Sequence, residues 1–365
     1  MIQSDQKKET MSMKNTKILG YDPGFGNSKA AMIDPLSGIK VASIPSVVGV
    51  GSTEIGMLDS SIGSNGKRNL PYRVDFGVQY LVGENVELFT IPAQRLDFRS
   101  LAEGPEVRAS FYACLHKLKD DEAGEAEASG EIEVMVGLPV VVMRDKQLAK
   151  RTRKELRKWM VGQHHFTVDG IEHDVKVSKV DVMPQPAGAY FGWGMGLNGR
   201  WSRDPALLKN LVAVCDIGFN TTDLFVLKGG KVIPRYTAGN KMGVRRGAEQ
   251  LASLIGEQTG INLSLHEADA YLRGGNPEIS TSSGLVDLGP LVAQAKDSVV
   301  ANVAQFVERS WGDGKRFSHI LFVGGGASLL RAEMAHFYPH GITLPGALTA
   351  NAEGLAKFGV RSLLK

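Results

Sequence analysis

Two short stretches far apart in the chain carry the same order of residue types, Asp22-Pro-Gly-Phe-Gly-Asn27 and Asp216-Ile-Gly-Phe-Asn-Thr221. Each opens on an aspartate at the end of an apolar run, passes through a glycine and a phenylalanine, and closes on small polar residues. Turns of this composition suit an oxyanion. Gly24, Gly26 and Gly218 let backbone N–H groups come close to phosphate oxygens, and Asn27, Ser28, Asn220, Thr221 and Thr222 add amide or hydroxyl donors. Lys29 adds a point positive charge. The aspartates need a different partner, because a carboxylate repels a triphosphate. A hydrated Mg2+ held between Asp22, Asp216 and the phosphates reconciles the charges. A third motif, Gly324-Gly325-Gly326-Ala327, offers bare backbone on which a flat adenine or ribose can lie. Any one of these turns alone is what an ordinary β-hairpin uses. Two matched copies and a triple glycine specify more.

The elements that must position these groups read as strand, turn, strand. An apolar strand from Lys17 ends at Tyr21, a second runs from Ser28 to Ile33, and after a turn at 34–38 a third covers Ile39 to Ile44. The unit recurs as strands Leu211 to Cys215, Thr222 to Leu227 and Val232 to Tyr236, with Gly229-Gly230 at the hairpin. This is an internal duplication. P-loop and dinucleotide-binding folds enter a helix directly after their glycine turn, whereas Ser28-Lys-Ala-Ala-Met32 reads as strand, so both are set aside. Helical spacing marks Arg246 to Thr259 and Leu285 to Trp311, the latter through Leu291, Ala295, Val299, Val303 and Phe306. A strand from His319 to Val323 leads into the triple glycine and a helix start. Between the copies lie a glycine-rich loop (49–66), an acidic stretch (120–131) and a strand from Ile132 to Gly137.

With 365 residues and 43% hydrophobic content, the chain can bury two cores. Its net charge of +3, from 42 basic and 39 acidic residues, demands no polyanionic partner. The basic run from Arg144 to Lys158 reads as a solvated helix face, with a DNA-binding face as the sharper alternative. Cys114 and Cys215 sit in apolar stretches without metal-ligand company, which fits a reducing cytoplasm. Residues 1–16 are polar and lack the apolar middle of a secretory signal, so they read as a disordered extension or a misplaced start, and no apolar run is long enough to span a bilayer. His164-His165 lacks metal-ligand neighbours and reads as a surface pair. Trp193 and Trp201 read as packing between lobes or as contact surface.

With its motifs in this order, the chain resembles the actin, Hsp70 and sugar-kinase superfamily. Asp22 to Lys29 matches the first phosphate motif, Asp216 to Asp223 the second, and Gly324 to Ala327 the adenosine motif. Within it the chain looks most like the bacterial actin-like proteins of plasmid segregation, the ParM/StbA group. Ile44-Pro-Ser46, Tyr80-Leu-Val-Gly-Glu84, Val136-Gly-Leu-Pro139 and Val182-Met-Pro-Gln-Pro186 carry that likeness.

The resemblance implies an α/β, actin-like (ribonuclease H-like) duplicated fold with two lobes around a nucleotide cleft. Lobe I would take 17–196 and 345–365, and lobe II 197–344. Val182 to Tyr190 would link the lobes and carry Gln185, which would orient the attacking water, with Asp22 and Asp216 completing the catalytic set. As a plainer reading, Gln185 caps the helix beginning near Pro186. Ala347 to Gly354 would form the return link, and Arg246 or Glu249 would touch the nucleoside. The expected cofactors are ATP or GTP with Mg2+, and the expected activity is an ATPase whose subunits polymerise into cytoskeletal filaments for plasmid partition. Partners would be other copies of the chain and a centromere-binding adaptor, with DNA contacted only indirectly and no membrane. The alternatives are a small-molecule kinase and a non-polymerising nucleotide-dependent scaffold.

Overall fold

The computed structural model describes residues 16–34, 38–53, 70–93, 97–119, 129–274 and 277–363. Residues 1–15 of the expected N-terminal extension lie outside them, as do the middle of the 34–38 turn and most of the glycine-rich and acidic stretches. The chain forms two compact units. The first comprises residues up to Leu138, Val142–Ser202 and the C-terminal segment from Asn351; the second comprises Pro139–Val141 and Arg203–Ala350.

The first unit is built on a nine-stranded sheet. Its strands are β1 (Lys17–Pro23), β2 (Asn27–Asp34), β3 (Gly38–Pro45), β4 (Val48–Val50), β5 (Tyr72–Asp75), β6 (Gln79–Val82), β7 (Ser129–Leu138), β8 (Gly162–Val168) and β9 (Ile171–Pro184), in the order β3-β2-β1-β7-β9-β8-β5-β6-β4. β1 runs antiparallel to β2 and parallel to β7. The second unit holds β10 (Val212–Ile217), β11 (Thr222–Lys228), β12 (Lys231–Val232), β13 (Ala238–Asn240), β14 (Glu278–Thr281), β15 (Gly284–Asp287), β16 (His319–Val323) and β17 (Gly341–Thr343). Here β10 runs antiparallel to β11 and parallel to β16, so the duplication read from the motifs is also a duplication of topology. β10 is buried along its whole length and β1 along all but its first residue. A strand flanked in this way has both faces covered and needs a continuous apolar run, which each sequence supplies up to its aspartate.

Three elements differ from the sequence reading, each for a local reason. The strand expected over Val232 to Tyr236 stops after two residues and becomes a 3-10 turn at Pro234–Tyr236, because proline fixes φ and has no N–H for the ladder. The helix expected from Leu285 begins at Gly289, with Pro290 in its first turn; Leu285 lies in the β14–β15 hairpin and is exposed. Its buried stripe is Ala295, Val299, Val303, Val307 and Trp311. The basic helix is interrupted at Asp145, whose carboxylate accepts from the N–H groups of Gln147 and Leu148 at 2.9 and 3.0 Å. That N-cap starts a new helix, Lys146–Met160, after the short helix Val140–Arg144.

The pair His164-His165 divides. β8 alternates, so His164, Phe166 and Val168 face inward while His165 faces out. His164 Nδ1 lies 2.9 Å from the Tyr112 hydroxyl and its Nε2 2.7 Å from the Met160 carbonyl oxygen. Phe166 stacks on Tyr112 on one side (centroids 4.1 Å apart) and on His173 on the other (4.8 Å). His173 Nε2 meets His116 Nδ1 at 3.0 Å. The expected surface position is therefore wrong for His164: alternation along the strand decided its side. The tryptophans pack within the first unit, with Trp193 edge-on to Trp201 and the Trp201 ring filling the space beside Gly194.

The stretch Val182 to Tyr190 also lies inside the first unit, and after the brief excursion at Pro139–Val141 the chain passes to the second after Ser202. The reason is a close contact of backbones. The helix Gln185–Gly194 meets the C-terminal helix Ala350–Ser362 at Gly188 and Gly354, where a Cβ on Gly354 would overlap the Gly188 carbonyl. A Cβ on Gly20 of β1 would likewise overlap the Ala352 carbonyl. Glycine at these positions lets the last helix seat directly on the strand that carries Asp22 and on the helix that carries Gln185.

Two outcomes are expected. Gly354→Ala should destabilise the protein by about 2 kcal/mol or more through overpacking, and thermal denaturation reads this directly; an unchanged melting temperature would mean the helices separate at no cost. Burial, then His116 and Lys119, pushes the His173 imidazole from 6.5 down to about 4, and burial also lowers His164. The folded state therefore holds these rings neutral. Their contribution to stability is complete above pH 6.5 and is lost as pH falls towards 4, because the unfolded chain binds protons first. Denaturant unfolding across that window should show a decline that is smaller in His173→Gln.

Candidate functional site

In the first unit the β1–β2 turn places Asp22 directly across from Lys29 and Pro23 across from Ser28. Asp22 is buried and compensated twice. Lys29 Nζ lies 3.3 Å from its Oδ2, and Gln185 Nε2 donates to its Oδ1 at 2.6 Å and to the Pro23 carbonyl at 3.3 Å. Gln185 is the first residue of its helix and reaches the turn because Gly137 leaves room; a Cβ there would sit 2.9 Å from Gln185 Cγ. With Nε2 committed, Oε1 is the end of the amide left to accept from a water.

The turn itself is stiffened from β3 and just beyond it. Ser46 donates its N–H to the Gly26 carbonyl (2.8 Å) and its hydroxyl to the Gly24 carbonyl (2.6 Å), and it shares a hydrogen bond with the Ser28 hydroxyl (3.1 Å). Asn27 Nδ2 donates to Ser43 Oγ. These bonds tie down carbonyl oxygens that would otherwise repel an anion. A Cβ on Gly24 would meet the Asn27 carbonyl oxygen at 2.5 Å and Lys29 Nζ at 2.8 Å, so the position admits only glycine without rearrangement. Beside the turn is a cavity of about 60 Å3 bordered by Gly24, Phe25, Ser28, Ser46 and Glu106. It has room for a few waters and none for a nucleoside.

In the second unit the β10–β11 turn sets Asp216 across from Asp223, another acid. The Gly218 N–H donates to the Thr221 carbonyl at 2.8 Å and closes the turn. The carbonyls of Gly218 and Phe219 are taken by the N–H groups of Val244 and Arg245, at the start of the helix Arg245–Thr259. Again the carbonyls are occupied, which leaves a donor-rich turn. Asn220, Thr221 and Thr222 are all buried; the Thr222 hydroxyl donates to the Met242 carbonyl at 2.5 Å, and Thr221 Oγ1 lies 3.5 Å from Asp223 Oδ2.

The triple glycine belongs to the same neighbourhood. Gly324 follows β16 with φ +87°, and a Cβ on it would overlap Asp216 Oδ1 and sit 2.5 Å from the Ile217 carbonyl oxygen. Gly326 lies against Ile217, while Ala327 is buried in the core of the second unit. Gly325 is the partly open member, and Arg273 Nη1 donates to its carbonyl at 2.9 Å. The structure thus brings Asp216, Gly218 and Gly324 to Gly326 together. Arg246 and Glu249 are exposed in the first turns of the helix Arg245–Thr259, and Glu249 pairs with Arg245 at 3.5 Å.

Comparison with known proteins follows the same division. Residues 20–188 match the N-terminal domain of actin-like proteins, and residues 214–336 match the C-terminal domain of the MreB-like archaeal actin homologue. Among solved structures, a non-polymerisable quadruple mutant of pCBH ParM matches with a TM-score of 0.74 and 19% identity, over 95% of this chain and 100% of that one. A 15-stranded ParM filament from Clostridium botulinum matches at 0.70 and 18%, over 95% and 99%. An archaeal actin homologue in complex with ADP matches at 0.66 and 16%, over 94% and 99%. No curated protein sequence matches the chain. The chain has an actin-like fold.

Within this actin-like frame, two residues escaped the sequence reading. Asp223 was seen only as the end of a motif. It is buried, its Oδ1 is enclosed without a completed hydrogen bond, and burial followed by the charge of Asp216 pushes its carboxyl well above the usual range. The N–H groups of Val140 and Val141 oppose that shift, which places Asp223 at the start of the short helix after β7. Arg273 was hidden because its contact with Gly325 spans half a hundred residues of chain. Cys114 and Cys215 are both free and buried; burial pushes the Cys114 thiol up to about 12, so it packs behind the first turn as an inert group.

Among the described residues no group of three or more His, Cys, Asp or Glu side chains could hold a metal by itself, and no helix is long and apolar enough to cross a membrane. A cation at Asp216 would take one or two protein oxygens and complete its shell from phosphate and water, which is the habit of Mg2+. The adjacent acids Asp216 and Asp223 fit such an ion, and the glycines that a Cβ would obstruct fit a phosphate chain. Replacement of Gly324 by alanine should weaken nucleotide binding at least tenfold, since both φ and the Asp216 contact forbid the side chain. Equilibrium titration with a fluorescent nucleotide reads it, and unchanged affinity would place the triple glycine outside the site.

Proposed function

We propose that this actin-like chain binds Mg-ATP, hydrolyses it slowly and assembles head to tail into filaments that serve plasmid DNA segregation. The observation that carries the reading is the pair of duplicated turns, each with a buried aspartate and carbonyls tied away from the anion, one of them holding Gln185 by its Nε2. In this reading the first turn would take phosphate oxygens through Gly24 to Lys29 and the second through Gly218 to Thr222. Asp216 would hold the metal, and Asp22, engaged by Lys29 and Gln185, would reach it through water; Mg2+ when bound would supply charge compensation for the γ-phosphoryl oxygens.

Gln185 does the positional work. Its Nε2 is anchored on Asp22 and Pro23, so Oε1 accepts from the water that attacks in line. A carboxamide cannot take up the proton at neutral pH, so turnover is slow and depends on alignment. Lys29 balances the charge of Asp22. Arg246 and Glu249 border the nucleoside end, and ATP or GTP satisfies the same phosphate contacts. Loss of the γ-phosphate changes what the turns hold, and such a difference in contacts is what couples hydrolysis to subunit shape and to filament release.

Support for assembly comes from the likeness to ParM structures, one of them a filament. A heterologous contact that does not close yields such a polymer. The partner expected at a filament end is a centromere-binding adaptor, so DNA is reached indirectly, in the cytoplasm. A small-molecule kinase of the same fold is less well supported, because it needs a free carboxylate base beside the substrate hydroxyl, and Asp22 is already engaged by Lys29 and Gln185. A non-polymerising scaffold would bind nucleotide and stay in solution.

The test combines ATP turnover with pelleting by ultracentrifugation. Wild-type chain with Mg-ATP should pellet and release phosphate. Gln185→Ala should still bind ATP and pellet while turnover falls roughly a hundredfold from lost alignment. Asp216→Ala should lose metal-dependent turnover with its fold intact by circular dichroism. Normal hydrolysis in Asp216→Ala would remove that residue from the site, and a soluble wild-type chain under all nucleotides would reduce the function to a switch or scaffold.

A further inference from the structure

The helix Lys146–Met160 plays no part in holding a nucleotide, yet it concentrates charge. The whole chain nets +3, while residues 144–158 alone carry eight Lys and Arg against two acids. The fold sorts these cations into two sets. Three arginines are held by the first unit itself: Arg151 by Glu103 at 3.0 Å, Arg157 by Asp181 at 3.1 Å, and Arg153 by the Val182 carbonyl at 3.5 Å. The lysines are not. Lys146, Lys150, Lys154 and Lys158 recur every four residues, all exposed, and form a row about 18 Å long on the side of the helix away from Leu156 and Met160. Lys158 lies 3.9 Å from Glu155, and the other three have no acidic partner among the described residues. Like charges at i, i+4 weaken a helix, and Lys146 stands in a first turn that holds no acid, where the helix dipole disfavours a cation.

We propose that this lysine row is a docking face for the phosphodiester backbone of a nucleic-acid duplex, bound without regard to base sequence. Duplex DNA presents one negative charge per about 1.7 Å of its axis, so cations set about 6 Å apart along a straight helix meet phosphates over their whole length. The opposed anions relieve the repulsion within the row. A lipid surface would need an apolar helix face to insert, and here Leu156 and Met160 are already buried in the first unit. A protein partner would need an apolar or aromatic anchor, whereas lysine is depleted from such interfaces. The arginines that could read base edges are held by their own partners, which leaves point charges that position a backbone and carry no sequence information. DNA and RNA duplexes share this chemistry. The contact is direct, is additional to the adaptor-mediated one, and does not depend on nucleotide binding or assembly.

Fluorescence anisotropy of the full chain, without nucleotide, against short labelled DNA and RNA duplexes of unrelated sequences tests this across a salt series. Four released counterions predict a slope of log affinity against log salt of about −3.6, with affinities that do not follow the sequence. The triple variant Lys146→Gln, Lys150→Gln, Lys154→Gln should bind at least about tenfold more weakly and bring the slope to about −0.9. Arginine at the same three positions should preserve both values. Lys209→Gln, Lys228→Gln, Lys231→Gln removes the same charge from exposed positions of the second unit and should bind as the wild type does. Binding to only one kind of duplex supports the proposal and names the source. Absence of duplex binding at about 50 mM salt, or an equal loss in both glutamine triples, would overturn it. So would polyglutamate or phosphatidylserine vesicles that compete as well as duplex at equal charge, since these mark an acidic protein or a lipid surface as the partner. Pelleting with Mg-ATP, measured on the same variants, keeps a failure here distinct from a failure of the filament reading.

Discussion

A buried carboxylate must be compensated, and the two halves of this molecule meet that demand in different ways. In the first unit Asp22 receives a lysine and a carboxamide from within the same unit. In the second, the residue facing Asp216 across the hairpin is Asp223. The same place in the duplicated turn therefore holds a cation in one copy and an acid in the other. Removing charges from water costs several kcal/mol per ion unless partners restore it. The first turn is thus balanced on its own, whereas in the second burial and the charge of Asp216 push the Asp223 carboxyl towards its protonated form.

The rest of the fold serves to put these turns where they are. β1 and β10 are the first strands of their repeats, each between an antiparallel hairpin partner and a parallel neighbour, and each is sealed on both faces. Their ends are fixed by the ladder, so the aspartates inherit the rigidity of the sheets. Glycine then permits contacts that side chains would forbid: Gly137 beneath Gln185, Gly20 and Gly188 against the last helix, and Gly324 against Asp216. The C-terminal helix packs on the strand and helix that supply Asp22 and Gln185.

What could be read in the sequence was whatever depends on neighbours along the chain. Aspartate and glycine at a fixed spacing after an apolar run gave the turns, and their repetition gave the duplication. The Gly-Leu-Pro and Met-Pro-Gln-Pro segments pointed to Gln185. Features set by contacts between distant segments were not legible. His164 turned inward because β8 alternates and because Tyr112, 52 residues earlier, offers it a hydroxyl. Arg273 found Gly325 through folding alone. Asp223 was visible as a residue, but its burial beside Asp216 depended on the hairpin register, which pairs the two acids only if the turn has the length observed. Pro234 is the exception, a local signal that was legible and outweighed by the apolar residues around it.

The difference between Lys29 and Asp223 also bears on how the two turns divide the chemistry. A turn whose aspartate is already neutralised can hold a polar side chain in place whether or not a ligand is present, and Gln185 is held this way by a 2.6 Å hydrogen bond. The second turn has no such cation opposite its aspartate in the hairpin register. Asp223 in turn meets the N–H groups of Val140 and Val141, which follow β7 after Pro139, and Gly137 of β7 packs on Gln185.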